Sequence, residues 1–362
     1  MTDTTHTAAV RVDPGELADW ASAALRASGV PDTDARLVAD SLVQTSLWGI
    51  DTHGIARLPH YLGRLEAGST RARPTLQLTR TAAGTATLEG DHGLGIVICE
   101  RAMREAVTLA SESGVGVVGC RHSTHCGALG LYGRQAVRAG MIGFAFTHAD
   151  AIVAPHGGSR AFLGTNPICI AVPNAHGQAV CLDMATSAIP FNRVINARRD
   201  GGSLPDNVAV DSSGQPTTDA HAAAALRPMG EHKGYALAFL IDVLCGPLNG
   251  MPFGPHIPAM YGDIDARRNL GSLMIALDPE CFGGGSELSR TVAAMAAEAR
   301  SQPAVDPDGE VLVPGDPEYR CEHERRGQGI PVQPGLADEM ADWARRLGVD
   351  LPGSLGTSVP SD

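Results

Sequence analysis

The chain has few aromatic residues, no long apolar run and no signal-type segment, and each absence removes a class of function. Aromatic side chains make up 4% of its 362 residues, which disfavours the stacking platforms that bind single-stranded nucleic acids or sugars. The longest apolar run, YALAFLIDVLC, is short and contains Asp242, so it does not predict a membrane span. The first residues have neither the basic nor the apolar segment of a signal peptide.

Positive charge and paired cysteines are also lacking. The formal net charge is -12, and an acidic surface repels phosphate backbones and anionic membranes. We therefore expect neither nucleic acid nor a membrane as a partner, although local arginines can still bind an anionic substrate. The eight cysteines are scattered without a CxxC pair, which predicts a reduced, cytoplasmic protein with most cysteines in the core.

The first 70 residues or so predict a helical region. Residues 13–30 predict a first helix with Asp13 as N-cap, followed by a proline at the first helical position. DTDARLVADSLVQTSLWGI predicts a second helix, capped by Asp32 or Thr33. THGIARLPHYLGRLEAGS predicts a third, interrupted by Pro59.

From about residue 74 the pattern changes to short strands between helices. TLQLTRTAAGTATLEG predicts a hairpin, GIVICERAMREAVTLASESG a helix closed by Gly114, and VGVVGC a buried strand. A helix over GALGLYGRQAVRAG is followed by strands in MIGFAFTHA, AFLGTNPICIAVPN and AVCLDMATS, by the helix KGYALAFLIDVLCGPLNG and by the strand SLMIALDPECF. SELSRTVAAMAAEARSQ and GLADEMADWARRLGV predict the last helices, and residues 351–362 a disordered tail.

One glycine motif is misleading. GVGVVG, residues 114–119, matches the dinucleotide-binding pattern G-x-G-x-x-G. In that fingerprint the glycines follow a strand and open a helix, whereas here a helix precedes them and the valines form the strand. We therefore interpret Gly114 as a helix C-cap and expect no Rossmann fold.

The stretch CRHSTHCGALG, residues 120–130, holds two histidines and two cysteines and allows several chemistries. His122, His125 and Cys126 are metal-ligand types, but a structural zinc site needs four ligands, and the sequence has no second cluster of suitable spacing. For His122 we favour a hydrogen bond to the backbone. His125 lies where a strand gives way to a helix, a position at which a neutral imidazole can take a hydroxyl proton near pH 7.

A second group of polar residues lies in DTHGIARLPHY. His53, Arg57 and Tyr61 recur at i, i+4 and i+8, which places them on one face of a helix. Such a face suits a small hydroxy acid whose carboxylate is bound by the arginine. Taken alone, the stretch slightly favours the alternative of a solvated polar face. DARRNLG offers Arg267 and Arg268 as a second carboxylate grip.

Further polar residues follow strands or begin helices, where ribose and phosphate groups bind. Lys233 begins an apolar helix, where a cation is disfavoured by the helix dipole unless it meets an anion. The other candidates are Asp183, Thr186 and Ser187 in DMATS, and Gly315 and Asp316 in VLVPGDPE.

Together, in this order, DTHGIARLPHY, STHCGALGLYG, GTNPICIAVP, DMATS, HKGYALAFLIDVLCGPLNG and VLVPGDPE resemble the type-2 malate/L-lactate dehydrogenase family of NAD(P)-dependent oxidoreductases. The segment MPFGPHIPAMYGDIDARRNLGSLMIALDP looks closest to the ureidoglycolate dehydrogenase branch. The resemblance implies an α/β fold in which a non-Rossmann nicotinamide-binding domain has a mixed, largely antiparallel sheet. A helical domain built from both termini completes it, with the active site between the two domains and a homodimer or higher homo-oligomer as the usual assembly.

On this basis we assign residues 1–73 and 285–350 to the helical, dimerising and substrate-side domain and residues 74–284 to the cofactor domain. The resemblance implies His125 as the catalytic histidine and His53 as a second proton donor. It implies substrate contacts from Arg57, Tyr61 and Arg268, and cofactor contacts from Asp183, Met184, Ala185, Lys233, Gly315 and Asp316. No metal is expected.

The chain departs from the family pattern at three places. His148 and Ala149 stand where Asn-Ser is frequent, so a hydroxyl contact to the cofactor is lost or is made by Thr147. Asn192-Arg193 stands where Gly-Lys is frequent, and an arginine there can accept the 2′-phosphate of NADP. Thr124 replaces an asparagine before the catalytic histidine, which changes that histidine's surroundings.

The sequence thus predicts a cytoplasmic dehydrogenase of a small 2-hydroxy acid, of malate, L-lactate, sulfolactate or ureidoglycolate type, with NAD favoured over NADP. Two alternatives stay open at this point. One is a catalytically silent binding protein on the same scaffold, and the other is a metal-dependent lyase using the histidines and cysteine of the 120–130 stretch.

Overall fold

The computed structural model describes residues 9–356. Its helices are α1 (Pro14–Ala27), α2 (Asp32–Leu47), α3 (Leu58–Glu66), α4 (Gly95–Ser113), α5 (Gly130–Arg138), α6 (Phe191–Asp200), α7 (His232–Cys245), α8 (Gly285–Arg300), α9 (Asp316–Gln328), α10 (Pro334–Leu347) and α11 (Gly353–Gly356). Its strands are β1 (Val10–Val12), β2 (Gln77–Ala82), β3 (Thr85–Glu89), β4 (Val115–Ser123), β5 (Ile142–Thr147), β6 (Ile168–Val172), β7 (Val180–Met184), β8 (Ala209–Val210), β9 (Ala225–Leu226), β10 (Leu270–Leu277) and β11 (Ile330–Val332).

The chain forms two compact units. The helical unit combines the N-terminal part up to Arg73 with the C-terminal part from Gly315, and the sheet unit spans Pro74–Pro314. Within the described residues, no helix is long and apolar enough to cross a membrane.

The helical unit begins as predicted and then differs in detail. Asp13 caps α1 by accepting a hydrogen bond from the Gly15 N–H at 2.7 Å. The predicted cap of α2 is wrong, because the N-cap is Pro31 and Asp32 is already helical. The predicted third helix is broken at Gly54 rather than at Pro59, which lies in the first turn of α3, where a missing N–H is tolerated.

The C-terminal end is more ordered than expected. Residues 353–356 form the short helix α11, and the Leu355 side chain is buried. The prediction of a disordered tail is therefore wrong for residues 351–356, since a buried leucine anchors them; the rest of that segment lies outside the described residues.

The sheet unit is built on seven strands in the order β2-β3-β4-β10-β5-β6-β7. All neighbours are antiparallel except β3 and β4, which run parallel and are joined by α4. The predicted mixed, largely antiparallel sheet is confirmed. Gly114, with φ +82, caps the C-terminus of α4, so GVGVVG leads into a strand and is not a Rossmann loop.

Side chains of this sheet alternate between two cores. Ala145, Cys169 and Met274 face a cluster shared with α4 and α5, whereas Phe146, Ile168 and Leu273 face a cluster shared with α7. The sheet is therefore covered by helices on both faces. Six of the eight cysteines are buried, which confirms their assignment to the core.

The second boundary between the units differs from the predicted one. The sheet unit continues to Pro314 and so includes α8, which the sequence analysis had placed with the helical domain. Two backbone hydrogen bonds explain this: the Ala175 N–H donates to Ser289 at 3.1 Å, and the Cys181 N–H donates to Pro314 at 3.1 Å. Both bonds join the segment after β10 to the β6–β7 hairpin.

Candidate active site

The sheet topology gathers most of the predicted site residues of the sheet unit at one end of the strands. Ser123 at the end of β4 pairs with Leu270 at the start of β10, and Thr147 at the end of β5 pairs with Ser272. His125 and Arg268 each lie two residues beyond the Ser123–Leu270 pair, so both leave the sheet at the same end. Met184 at the end of β7 pairs with Ile168, which pairs with Phe146 of β5, and this places DMATS at that end as well.

His125 is partly buried in the loop between β4 and α5. Its Nδ1 accepts a hydrogen bond from the Gly127 N–H at 3.3 Å, which is long for such a bond. An acceptor Nδ1 assigns the proton of the neutral imidazole to Nε2. Because the Gly127 bond is long, losing it when the ring takes up a second proton costs little.

The loop that carries His125 lies directly on the N-terminus of α4. A Cβ built on Gly95 would lie 2.3 Å from the Thr124 carbonyl and 2.6 Å from the His125 carbonyl, so only glycine fits there. Thr124 Oγ1 accepts from the Gly95 N–H at 2.9 Å and donates to Gly93 at 3.0 Å. Thr124 therefore fixes the loop to the helix.

His122 and Cys126, which also allowed a metal site, have other roles. The predicted backbone bond of His122 is wrong for its side chain, whose Nδ1 lies 2.9 Å from both carboxylate oxygens of Glu89. A hydrogen bond with Cys99 and burial raise the pKa of the Cys126 thiol well above its usual range, which disfavours the thiolate. Among residues 9–356 no group of three or more His, Cys, Asp or Glu is arranged to hold a metal.

Arg268 is buried, with 3% of its surface exposed, and is already engaged at one edge of its guanidinium. Nη2 lies 2.5 Å from Asp150 Oδ1, and Nη1 donates to the Pro258 carbonyl. Its Nε is buried and finds no hydrogen-bond acceptor among residues 9–356. A buried donor without an acceptor costs about 1–3 kcal/mol, so this edge fits an incoming carboxylate.

The side chains at the end of β5 show whether Thr147 can supply the cofactor contact that is lost where His148 and Ala149 replace Asn-Ser. The His148 side chain is fully buried; Nδ1 donates to Asp242 at 3.3 Å and Nε2 accepts from the Gly271 N–H at 2.8 Å. Thr147 Oγ1 donates to the Gly271 carbonyl at 3.1 Å and accepts from Ser272 at 3.0 Å. The hydroxyl of Thr147 is thus engaged inside the sheet unit, which argues against the proposed replacement contact to a cofactor.

DMATS, residues 183–187, begins in the last two residues of β7, which is an edge strand, and continues into the turn after it. The Cys181 N–H points away from β6 to Pro314, and by strand alternation the backbone N–H and C=O of Asp183 face the same way. The Asp183 carboxylate accepts from the Gly130 N–H of α5 at 2.7 Å, so it stabilises the helix that follows the His125 loop. Met184 and Ala185, both partly buried, continue this edge.

The hydroxyls of Thr186 and Ser187 are used within the turn. Thr186 Oγ1 donates to the Thr165 carbonyl at 2.8 Å, and Ser187 Oγ donates to Ile189 at 2.8 Å. Both side chains are buried. Their predicted contacts to ribose or phosphate therefore gain no support from the structure, which shows them holding the turn in shape.

The same turn is linked to the start of α7. The Met229 N–H donates to the Thr186 carbonyl at 2.9 Å, and four residues later Lys233 lies exposed in the first turn of the helix. Lys233 is the only lysine of the 362-residue sequence; every other basic residue apart from histidine is arginine. A cation at the positive end of a helix is disfavoured unless it meets an anion, so the ammonium group of Lys233 is a candidate contact for an anionic ligand.

In the helical unit, His53 and Arg57 do not share a helix face as predicted. His53 ends one 3-10 turn (Asp51–His53) and Arg57 ends the next (Ile55–Arg57), with Gly54 between them. The Ile55 N–H donates to Ser46 Oγ at 2.9 Å, which holds the second turn against the end of α2. Arg57 is buried and its Nε donates to the Thr52 carbonyl.

Burial and the neighbouring charge of Arg57 lower the pKa of His53 to about 4. At neutral pH the ring is therefore uncharged, and Thr52 Oγ1 lies 2.9 Å from its Nδ1. Tyr61 is buried in α3. Gly315, with φ +104, is the N-cap of α9, and Asp316 is its buried first residue, so the predicted tight turn begins a helix that the sequence analysis missed.

The depressed pKa of His53 makes the stability of the protein depend on pH. Between about pH 6.5 and pH 4 the unfolded chain binds a proton at this histidine and the folded chain does not, so stability falls as the pH falls through this window. We expect the wild type to lose about 2–3 kcal/mol more than His53→Gln across it. Urea unfolding of both proteins at each pH measures the difference, and equal losses would contradict a histidine that stays neutral in the folded protein.

Three of the residues that build this end of the sheet were missed as site residues. Asp150, Asn166 and Asp242 all bond to other polar groups there: the Asn166 side chain donates to Asp242 at 3.1 Å and accepts from the Ala149 N–H at 3.2 Å. A signal existed for Asp242, since a lone carboxylate in an otherwise apolar helix indicates a buried, paired group.

Comparison with known proteins settles the family. The model of the malate/L-lactate dehydrogenase family matches residues 12–341. The chain belongs to that family. The resemblance drawn from the motifs is therefore confirmed, as is the prediction of a dehydrogenase.

Members of this malate/L-lactate dehydrogenase family are similar along most of the chain. An L-sulfolactate dehydrogenase of Methanothermobacter thermautotrophicus is 37% identical over 94% of this chain and 98% of its own length. A ureidoglycolate dehydrogenase (NAD(+)) of Escherichia coli is 40% identical over 73% of this chain and 75% of its own. The crystal structure of malate dehydrogenase from Entamoeba histolytica matches with a TM-score of 0.90 and 29% identity, covering 95% of this chain and 99% of that one.

Proposed function

We propose that the protein transfers a hydride between NAD and a small 2-hydroxy acid or its 2-oxo form. One observation carries this proposal: the sheet brings a histidine (His125), a buried arginine with an unpaired donor (Arg268) and the DMATS–Lys233 segment to one end of its strands. A proton carrier, a carboxylate site and an anion site are the parts that such a reaction needs.

The residues around DMATS fit a nicotinamide cofactor. The outward-facing backbone of Asp183 at the edge of the sheet offers hydrogen-bonding groups, with Met184 and Ala185 following it, and the exposed ammonium of Lys233 offers a partner for an anionic phosphate. When bound, the nicotinamide accepts or supplies the hydride. Gly315 and Asp316 of the helical unit remain proposed contacts, because a helix N-terminus such as that of α9 suits polar cofactor atoms.

His125 moves the proton in this proposal. In the oxidising direction its neutral imidazole accepts the hydroxyl proton of the substrate, and in the reducing direction the imidazolium returns that proton to the oxo oxygen. His53, with its pKa of about 4, is uncharged throughout the neutral range and so orients the substrate by hydrogen bonding rather than exchanging protons. In this proposal His125 is therefore the proton carrier and His53 an orienting residue.

The substrate carboxylate is held by arginines. Arg268 presents its unpaired Nε, and Arg57 supplies a second guanidinium on a turn fixed to α2, with Tyr61 as a neutral hydrogen-bond donor. The named substrates of the relatives, sulfolactate, malate and ureidoglycolate, all carry a carboxylate. A substrate of this class is our proposal; cytoplasmic location and a homodimer stay predictions.

The first test is a fluorescence titration of the protein with NADH and with NADPH at matched salt. We expect saturable micromolar binding of NADH and weaker binding of NADPH. Tighter binding of NADPH would reassign the cofactor and point to Arg193, which is exposed in the first turn of α6. Binding of neither would contradict the proposal and favour the silent binding protein, whereas turnover of malate, lactate, sulfolactate or ureidoglycolate identifies the substrate.

The single lysine allows a sharp chemical test of the cofactor site. Lys233→Gln should weaken NADH binding about 10–100-fold, because a charge-assisted hydrogen bond to a phosphate is lost. Lys233→Arg is the matched control that keeps the charge and should retain most of the affinity. An amine-reactive reagent should modify Lys233 in the free protein and be blocked by NADH; modification unaffected by NADH would argue against this contact.

A further inference from the structure

Arg268 and Asp150 are joined by a network of hydrogen bonds to the loop before β10. The proposed reaction assigns no role to Asp150. Asp150 Oδ1 lies 2.5 Å from Arg268 Nη2, and Asp150 Oδ2 accepts from the Met260 N–H at 3.1 Å. Arg268 in turn donates to the Pro258 carbonyl. Asp150, on the segment after β5, and Arg268, just before β10, thus hold residues 258–260 between them.

The arrangement also fixes the direction of the guanidinium. Both Nη atoms have partners, and the only nitrogen of this side chain without one among the described residues is Nε. A planar guanidinium held at two corners cannot rotate, so its Nε edge keeps one orientation. With 3% of Arg268 and 15% of the Asp150 side chain exposed, water screens this pair poorly.

We propose that Asp150 is a positioning residue that aims the Nε edge of Arg268 at the substrate carboxylate and keeps the 258–268 loop in place. The inference rests on the proposed carboxylate-binding role of Arg268. A positioning role differs from a purely structural one in what it affects. As a positioning residue, Asp150 affects substrate binding through the guanidinium of Arg268 and has little influence on cofactor binding. Both carboxylate oxygens of Asp150 have partners within the protein, so in this proposal Asp150 itself contacts neither the substrate nor the cofactor.

Two variants of Asp150 measure this effect. Asp150→Ala removes both of its bonds and should raise KM for the 2-hydroxy acid about 10–100-fold, with a smaller change in kcat and an unchanged Kd for NADH. Asp150→Asn keeps the shape and one acceptor, so its KM should lie between those of Asp150→Ala and the wild type. Asp265→Asn, an exposed acid in the same loop, is the control for the loss of one negative charge and should leave KM unchanged.

A double-mutant cycle with Arg268→Gln shows whether Asp150 acts through the arginine. If it does, Asp150→Asn has no further effect on kcat/KM once Arg268 is glutamine. The double variant also removes both buried charges together, so it is expected to fold even if Arg268→Gln does not. Melting curves and NADH titration establish that each variant is folded.

The outcomes are distinguishable. If Arg268→Gln lowers kcat/KM and the Asp150 variants do not, or if the Asp150 effect persists without Arg268, the positioning role is overturned and the proposed function stands. If a folded Arg268→Gln enzyme keeps its kcat/KM, the carboxylate-binding role of Arg268 fails, and the inference about Asp150 fails with it.

Discussion

Replacing His125 by alanine is expected to lower kcat by about 10²–10⁴-fold while the affinity for NADH stays near its wild-type value. The reason is that the imidazole is proposed to carry the substrate proton, whereas the groups around Asp183 and Lys233 hold the cofactor. The side chain is only partly buried and its assigned bond to Gly127 is long, at 3.3 Å, so the fold should survive its removal.

Steady-state turnover with the best substrate of the screen, together with an NADH titration, measures both quantities. His122→Asn is the matched control, because it removes a histidine at the end of β4, three residues before His125. His122 is bonded to Glu89 and has a φ of +48, which asparagine tolerates. The control should keep most of its activity. A His125→Ala enzyme with near wild-type turnover would remove the histidine from the mechanism.

Asp242→Ala should be the most destabilising of the substitutions considered, with a loss of about 3–5 kcal/mol in the free energy of unfolding. The carboxylate accepts hydrogen bonds from His148 at 3.3 Å and from Asn166 at 3.1 Å, in a place that water does not reach. Its removal leaves the N–H of His148 and one of the two N–H groups of the Asn166 amide without an acceptor, the other donating to the Ala238 carbonyl at 3.0 Å. The disturbance extends to Gly271, whose N–H donates to His148 at 2.8 Å.

Urea unfolding followed by circular dichroism measures this loss. Asp242→Asn keeps the side-chain volume and one acceptor oxygen, but its new NH2 group faces one of the two donors, His148 or Asn166. The variant should therefore lose part of the stability. Asp278→Ala removes a partly exposed capping carboxylate in the same unit and should cost about 1 kcal/mol. If Asp242→Ala costs no more than Asp278→Ala, the buried network contributes little to stability.

Sequence reasoning succeeded for the fold where local signals were strong. Asp13 correctly predicted the start of α1, and the glycine after α4 correctly predicted the end of that helix. Alternating apolar residues identified the strands of the large sheet. Sequence reasoning failed where contacts from distant segments interrupt a helix. The turns of His53 and Arg57 depend on bonds from α2 and α9, such as that of the Ile55 N–H to Ser46 Oγ at 2.9 Å and that of Arg325 to Asp51 at 3.0 Å, which local periodicity cannot reveal.

For the candidate site, too, the sequence identified residues but not their contacts. Motifs sufficed to name His125, Arg57, Arg268 and Lys233 as candidates, because their residue types suit the chemistry. They did not reveal that Thr186 and Ser187 bond to backbone carbonyls or that Asp150 pairs with Arg268, since these contacts join segments up to 118 residues apart. Hydrogen-bond partners of buried polar groups are set by packing, which a single sequence does not show.

The position of β10 in the sheet has a consequence for how the protein is made. β10 lies between β4 and β5, yet a ribosome completes both of those strands long before it reaches Leu270. Until then β4 and β5 each carry an unpaired edge, and the end of the sheet that carries His125 and Arg268 is incomplete. The nascent chain therefore exposes two unpaired strand edges, and pairing of β10 with both strands closes the sheet and brings the His125 loop and Arg268 to the same end in one step.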